Sequence, residues 1–223
     1  MAIQGVLLDI DGTLVLSNDA HAQAWVEAFA DYGYNIKFED VRPLIGMGGD
    51  QLIPQILPEL SGKEGVGKKA ADRRKELIIE KFSANLAPAP GSRQLVQRLK
   101  QDGYKLVVAS SATSQELSSL LKAGEVEDLL SEEPTTTSSD TEASKPEPDL
   151  VQSALSKGKL QPEQAIMLGD TPYDIQAASK AGVGVIAFRT GDFDDTQLAD
   201  ALAIYDDPAD LLEHYESSLL AKQ

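Results

Sequence analysis

The chain has 223 residues, 42% of them apolar, no cysteine and a formal net charge of −16. That length suffices for one large α/β domain or for a domain carrying a smaller insertion. The charge argues against nucleic acid, whose phosphates demand a basic face, no apolar run reaches membrane-spanning length, and the missing cysteines exclude disulfides and thiolate metal sites.

The first predicted element is the apolar run Val6-Leu7-Leu8, which ends in Asp9-Ile10-Asp11-Gly12-Thr13. A strand this rich in Val and Leu belongs inside a covered sheet, so acids at its carboxyl end need a cation, a metal or water to offset their desolvation. No basic leader precedes it, and we expect no signal peptide and a cytoplasmic location. Residues 15–87 then break the pattern. Asn18 to Tyr32 reads as a helix, with Ala22, Trp25, Ala28 and Phe29 at helical spacing and Gly33 as its stop. Further helical stretches are expected near Gly49 to Leu57 and Lys68 to Phe82, and the segment leaves through Ala87-Pro88-Ala89-Pro90-Gly91. We expect an α/β core at 1–14 and 88–223 and a small helical cap at 15–87 that closes over a crevice; helices that simply cover one face of a sheet have the same periodicity.

Two later runs repeat the opening design: Leu106-Val107-Val108-Ala109-Ser110-Ser111 and Ala165-Ile166-Met167-Leu168-Gly169-Asp170. Each leads into a helix start, a capping box at Thr113-Ser114-Gln115-Glu116 and an N-cap with proline at Thr171-Pro172. Residues 131–144 are loop-like in composition and deliver the chain to Lys145-Pro146. Further strands are expected at Val183 to Phe188 and near Ala203 to Tyr205, with a closing helix from Pro208. Strands alternating with helices predict a doubly wound parallel sheet, whose strands direct their carboxyl ends at one ligand crevice. Asp9, Ser110 and Asp170 should meet there.

Such a crevice holds Asp9, Asp11, Asp170 and, one turn on, Asp174, together with Lys145. Their mutual repulsion calls for a hard divalent cation with oxygen ligands, and Mg²⁺ suits few carboxylates with places left for water and phosphate. Lys145 and Ser110 are then free to bind phosphate oxygens. In blander readings, Asp9-x-Asp11 is a solvated turn, Ser110-Ser111 and Asp170 with Asp174 cap helices, and Lys145 belongs to a loop. It is their joint placement at strand ends that favours chemistry.

The arrangement resembles the haloacid dehalogenase-like superfamily, with a Rossmann-like core: Asp9-Ile10-Asp11-Gly12-Thr13, Ser110, Lys145 and Gly169-Asp170-Thr171-Pro172-Tyr173-Asp174 match its four motifs in order. The resemblance implies that Asp9 is the nucleophile, that Asp11 protonates the leaving alcohol and later activates water, and that Thr13 positions the Asp9–Asp11 loop. It implies Mg²⁺ held by the Asp9 and Asp170 side chains and the Asp11 carbonyl, with Asp174 orienting or completing the shell. Ser110, Ser111 and Lys145 are the candidate phosphate binders. Asn18, Asp19, His21 and Trp25 look like the first cap helix of the beta-phosphoglucomutase-like branch, which makes His21 a candidate for hinge or proton-transfer support; a surface or partly buried histidine is the alternative. Sugar phosphomutases of that branch grip a second phosphate with a cap arginine, where this chain has the glycines of Ile45-Gly46-Met47-Gly48-Gly49-Asp50.

These readings lead to a Mg²⁺-dependent phosphatase acting on a small phosphorylated substrate such as a sugar phosphate, with neither a nucleic-acid nor a membrane partner, as a monomer or weak homo-oligomer. The alternatives are a phosphomutase and a phospho-accepting receiver-type signalling module, though Asp11 and a cap of this length have no purpose in a receiver. The basic island Lys68, Lys69, Arg73, Arg74 and Lys75 reads as a solvated helix face or as steering for an anionic substrate, with Arg74 or Lys75 reaching the crevice. Gly62 to Lys69 nearly spells a P-loop, but Lys69 stands where Ser or Thr is needed and no strand precedes it.

Overall fold

The computed structural model describes residues 2–221. Strand β1 (Gly5–Leu8) is followed by β2 (Val15–Leu16) and by helices α1 (Asn18–Ala30), α2 (Phe38–Val41), α3 (Gly49–Ile56) and α4 (Gly65–Leu77). Then come β3 (Ala87–Pro88), α5 (Ser92–Gln101), β4 (Lys105–Ala109), α6 (Ser114–Ala123), α7 (Glu127–Leu130), β5 (Thr135–Thr136) and α8 (Asp149–Gly158). The chain closes with β6 (Ala165–Gly169), α9 (Pro172–Lys180), β7 (Gly184–Phe188), β8 (Ala203–Tyr205) and α10 (Pro208–Glu213).

Six strands form one parallel sheet in the order β5-β4-β1-β6-β7-β8. The chain progresses outward on one side of β1 and then returns to build the other side, so its direction reverses at β1, where open α/β sheets bind their ligands. Alternate residues of the central strands face opposite layers. Val6, Leu8, Leu106 and Val108 pack with Leu95 and Leu99 of α5, Leu120 of α6 and Leu211 of α10. Leu7, Val107 and Met167 pack with Val151 of α8 and Ile175 of α9. Burying each such side chain contributes about 1.5–3 kcal/mol, which explains why these strands carry no alternating polar residues.

Between β2 and β3, which pair antiparallel, the α1–α4 segment builds apolar clusters of its own. Trp25 and Phe29 of α1 stack with ring centroids 5.4 Å apart and pack with Leu52, Ile53 and Ala70. The expected helix near Lys68 to Phe82 begins earlier, at Gly65, and passes into a π-helical turn over Ile78–Phe82. Residues 131–144 are not all loop: Thr135–Thr136 adds an edge strand to β4. The closing helix stops at Glu213 and gives way to a 3₁₀ turn over Tyr215–Ser217. Among the described residues no helix is long and apolar enough to cross a membrane.

Candidate active site

Register gathers the site. Leu8 pairs with both Val108 and Leu168, so Asp9 leaves β1 level with the ends of β4 and β6, and Ser110 and Asp170 follow one residue later. Asp9, Asp170 and Asp174 are almost wholly buried, and one carboxylate oxygen from each lies within 4.8 Å of the others. The Lys145 ammonium reaches into this group from the segment before α8, bonded to Asp9 Oδ1 and 2.6 Å from Asp174 Oδ1. Thr13 Oγ1 bridges Asp9 Oδ2 at 3.0 Å and Asp170 Oδ1 at 3.1 Å.

Local sequence makes this approach possible. Gly12 adopts a φ of +78°, and a Cβ there would stand 1.9 Å from Asp170 Oδ2, so only glycine lets the turn close over the carboxylate. Asn18 Nδ2 donates to the same oxygen at 2.8 Å. Asp174 also completes a capping box on the expected Thr171 N-cap of α9, accepting from Thr171 N at 3.1 Å and Thr171 Oγ1 at 2.7 Å. Capping and site-building are therefore combined in one side chain, each carboxylate oxygen taking one task.

The charges here do not balance. Burial, then the nearby charges of Asp174 and Asp11, push Asp9 up to about 7 against the pull of Lys145, and burial with Asp174 and Asp9 raises Asp170 well above the carboxylate range. Burial disfavours the Lys145 ammonium, but Asp174 and Asp9 more than offset it and raise its pKa. Three buried oxygen donors with too little positive charge among them are the donor set of a hard divalent cation. These residues fit such a metal.

Asp11 stands apart from that triad. Its Oδ1 accepts from Ser17 Oγ at 2.6 Å and lies 2.7 Å from His21 Nε2. Burial pushes its pKa up, but His21, Ser17 and Arg74 outweigh burial and lower it. Arg74 Nη1 lies 3.3 Å from His21 Nδ1; because a guanidinium only donates, Nδ1 is assigned as the acceptor and Nε2 as the protonated nitrogen facing Asp11. Ser17 occupies the N-cap position of α1 yet makes no side-chain cap bond. Its hydroxyl serves Asp11 instead.

A cavity of about 40 Å³ opens on this group, lined by Asp9, Asp11, Ser111 and Lys145 from the sheet side and, from the segment between β2 and β3, by His21, Trp25 and Arg74 on helices and Met47 on the connection before α3. Ser111 Oγ is buried without a hydrogen-bond partner among the described residues. Ser110 is fully buried and accepts from Ala112 N at 3.1 Å; it is not part of the cavity lining, so of the two candidate serines it is Ser111 that faces the space. Of the basic island, Arg74 reaches the crevice. Lys68, Arg73 and Lys75 instead pair with Asp72, Asp31 and Glu76. Sequence reasoning missed Ser17 as a partner of Asp11 and Asn18 as a donor to Asp170. It read Glu116 only as a cap, whereas Glu116 also accepts a hydrogen bond from Arg74.

A family model described as haloacid dehalogenase-like hydrolase matches residues 6–188. Among curated relatives, pyrophosphatase PpaX from Bacillus thuringiensis is 29% identical over 191 residues, covering 84% of this chain and 83% of the relative. Among solved structures, a hydrolase from Pseudomonas syringae superposes with a TM-score of 0.88 at 24% identity, covering 96% of this chain and 98% of that one. CbbY from Rhodobacter sphaeroides, solved in complex with phosphate, superposes with a TM-score of 0.75 at 26% identity over 94% and 96% of the two chains.

Proposed function

Since this chain belongs to the haloacid dehalogenase-like hydrolases, we propose that it is a Mg²⁺-dependent phosphatase that hydrolyses a small phosphomonoester through an aspartyl-phosphate on Asp9. The observation that carries the reading is the setting of Asp9: a buried carboxylate on the cavity wall, held by Lys145 and Thr13 and joined by Asp170 and Asp174. A carboxylate approaches a phosphate dianion only when cations offset the repulsion. Asp9, Asp170 and Asp174 would hold Mg²⁺, which supplies Lewis-acid stabilisation of the phosphoryl oxygens. The expected carbonyl contribution of Asp11 belongs to this same proposal.

Asp9 attacks phosphorus in line with the ester oxygen, the ester bond breaks, and Asp11, a carboxylate in the substrate-free site that takes up a proton before this half, gives it to that oxygen. In the second half Asp11, as the carboxylate that Ser17 and His21 hold, takes a proton from the water that attacks the phosphoenzyme; phosphate leaves and Asp9 is restored. One acid/base residue thus serves both displacements. Lys145 and Ser111 face the transferred phosphoryl group, and His21 keeps Asp11 on the rim. The α1–α4 segment acts as the cap that excludes water while the phosphoenzyme exists.

Hydrolysis is favoured over mutation of a sugar phosphate because Ile45, Gly46 and Met47, which line the cavity, bring no cation for a second phosphate. The test is p-nitrophenyl phosphate turnover in Mg²⁺ with an acid quench on labelled substrate. Wild type should retain label on the protein and Asp9→Asn should retain none. Turnover by Asp9→Asn at the wild-type rate removes the proposal.

A further inference from the structure

We propose that the Arg74–Glu116 pair sets leaving-group specificity, selecting neutral, hydrogen-bonding leaving groups and disfavouring those that carry a second negative charge. This inference rests on the phosphatase reading above.

The cavity beside Asp9, at about 40 Å³, has room for only a few water-sized groups, enough for the phosphoryl head and not for the rest of an ester. A second cavity of about 260 Å³ adjoins it between the helical segment and the 138–144 loop, and the two share Arg74 and Ser111. A leaving group that extends into this second cavity passes Arg74 and Ser111, which line both. The Arg74 guanidinium is the cation at that passage, and it is already engaged: Nη1 donates to Glu116 Oε1, with the ring of Trp25 5.2 Å from Cζ.

Glu116 has no freedom to release it. The side chain is fully buried, and Oε2 accepts from Thr113 N at 2.9 Å and from Thr113 Oγ1 at 2.8 Å. Burial raises its pKa, but Arg74, His21 and the Thr113 bonds overcome that and keep it low, so the charge on Arg74 is cancelled where the leaving group passes. The outer cavity's own lysines are outnumbered by its acids. Lys63 and Lys75 face Asp50, Asp72 and Glu142 there; Lys75 lies 3.4 Å from Asp72 and Lys63 donates to the Glu142 carbonyl at 3.0 Å. What the outer cavity does offer is hydroxyls, among them Ser111 Oγ and Thr141 Oγ1, both buried without a hydrogen-bond partner among the described residues. An unpaired anion is poorly served in such a space, and a polyol is well served.

The experiment measures kcat/KM of the full chain in Mg²⁺ for pyrophosphate, whose leaving group is anionic, and for glycerol phosphate, whose leaving group is neutral. The readout is the ratio of the two, because general damage to the site lowers both together. Wild type should favour glycerol phosphate. Glu116→Gln keeps a capping-box acceptor but frees Arg74, and should raise the pyrophosphate ratio about tenfold or more, the scale of one uncancelled charge at contact distance. Arg74→Ala should lower the ratio, and the double variant should return it toward wild type. A ratio unmoved in folded, active Glu116→Gln overturns the inference; if that variant does not fold, an unmoved ratio in Arg74→Ala overturns it equally. A wild type that prefers pyrophosphate overturns it as well. Failure of the phosphatase reading looks different: wild type hydrolyses neither ester, or Asp9→Asn hydrolyses both.

Discussion

On the sheet side of the active-site chamber, Asp9, Asp170 and Asp174 crowd around the ammonium of Lys145, whereas on the helix side Arg74 faces Glu116 and His21 faces Asp11. The first group is short of positive charge, and Asp9 and Asp170 are pushed toward protonation. The second is more nearly balanced, one cation and a donating histidine serving two acids, and both Asp11 and Glu116 are held as carboxylates. Imbalance costs stability, and on the proposed reading it persists because a cation and a phosphoryl group bind there; balance fixes positions.

The strongest way to break this contrast is to neutralise the centre of the strained group. Asp9→Asn should reduce turnover by more than ~10³-fold, while its melting temperature stays level or rises, because a carboxylate destabilised by burial has been replaced by a neutral isostere. A large loss of melting temperature would show that Asp9 sits in a relaxed site. Asp11→Asn comes next, with a fall of roughly 10²–10⁴-fold for loss of an acid/base group. Wild-type rates for Asp11→Asn would remove its assignment.

How much of this was legible differs between the two sides for a physical reason. β1, β4 and β6 are covered on both faces, so apart from exposed Lys105 at the start of β4 their residues are apolar or glycine and the acids that end β1 and β6 stand out. Asp9 and Asp170 could be named for that reason, Lys145 came from the family resemblance, and the α6 capping box and the Thr171-Pro172 N-cap of α9 followed from local spacing. β5 was hidden because two threonines at a sheet edge carry no periodicity. α2 and α7, at four residues each, are too short to show one. α5 went unread although Leu95, Val96 and Leu99 mark its buried face; the signal was present. The Arg74–Glu116 pair joins residues 42 apart in sequence, and nothing in either neighbourhood specifies the other. Long-range polar pairing is a property of the packed molecule, whereas apolar burial leaves its pattern in every strand.

If the sheet-side imbalance marks a cation site, Mg²⁺ should stabilise the protein independently of turnover. At a concentration one hundred times its Kd, a ligand of the native state adds about 2.7 kcal/mol, which for a chain of this size is a melting-temperature rise of roughly 5–10 °C. Asp170→Asn should lose that rise, and EDTA should reverse it in wild type. An equal Mg²⁺ response in Asp170→Asn would place the ion elsewhere.

The smallest effect tests the balanced side. At pH 7, Glu116→Gln should lower stability by about 2 kcal/mol, the scale of a charged hydrogen bond lost from a buried site. Because Glu116 is held below its ordinary value of 4.5 when folded, its stabilisation is complete above that pH and is lost as pH falls through the folded value. The melting-temperature gap between wild type and Glu116→Gln should therefore be full at pH 7 and should narrow only below pH 4.5. A gap that persists undiminished to low pH would mean that Glu116 contributes through packing and its Thr113 bonds rather than through charge. The helix side would then be held by shape, and its contrast with the strained carboxylates would no longer be an electrostatic one.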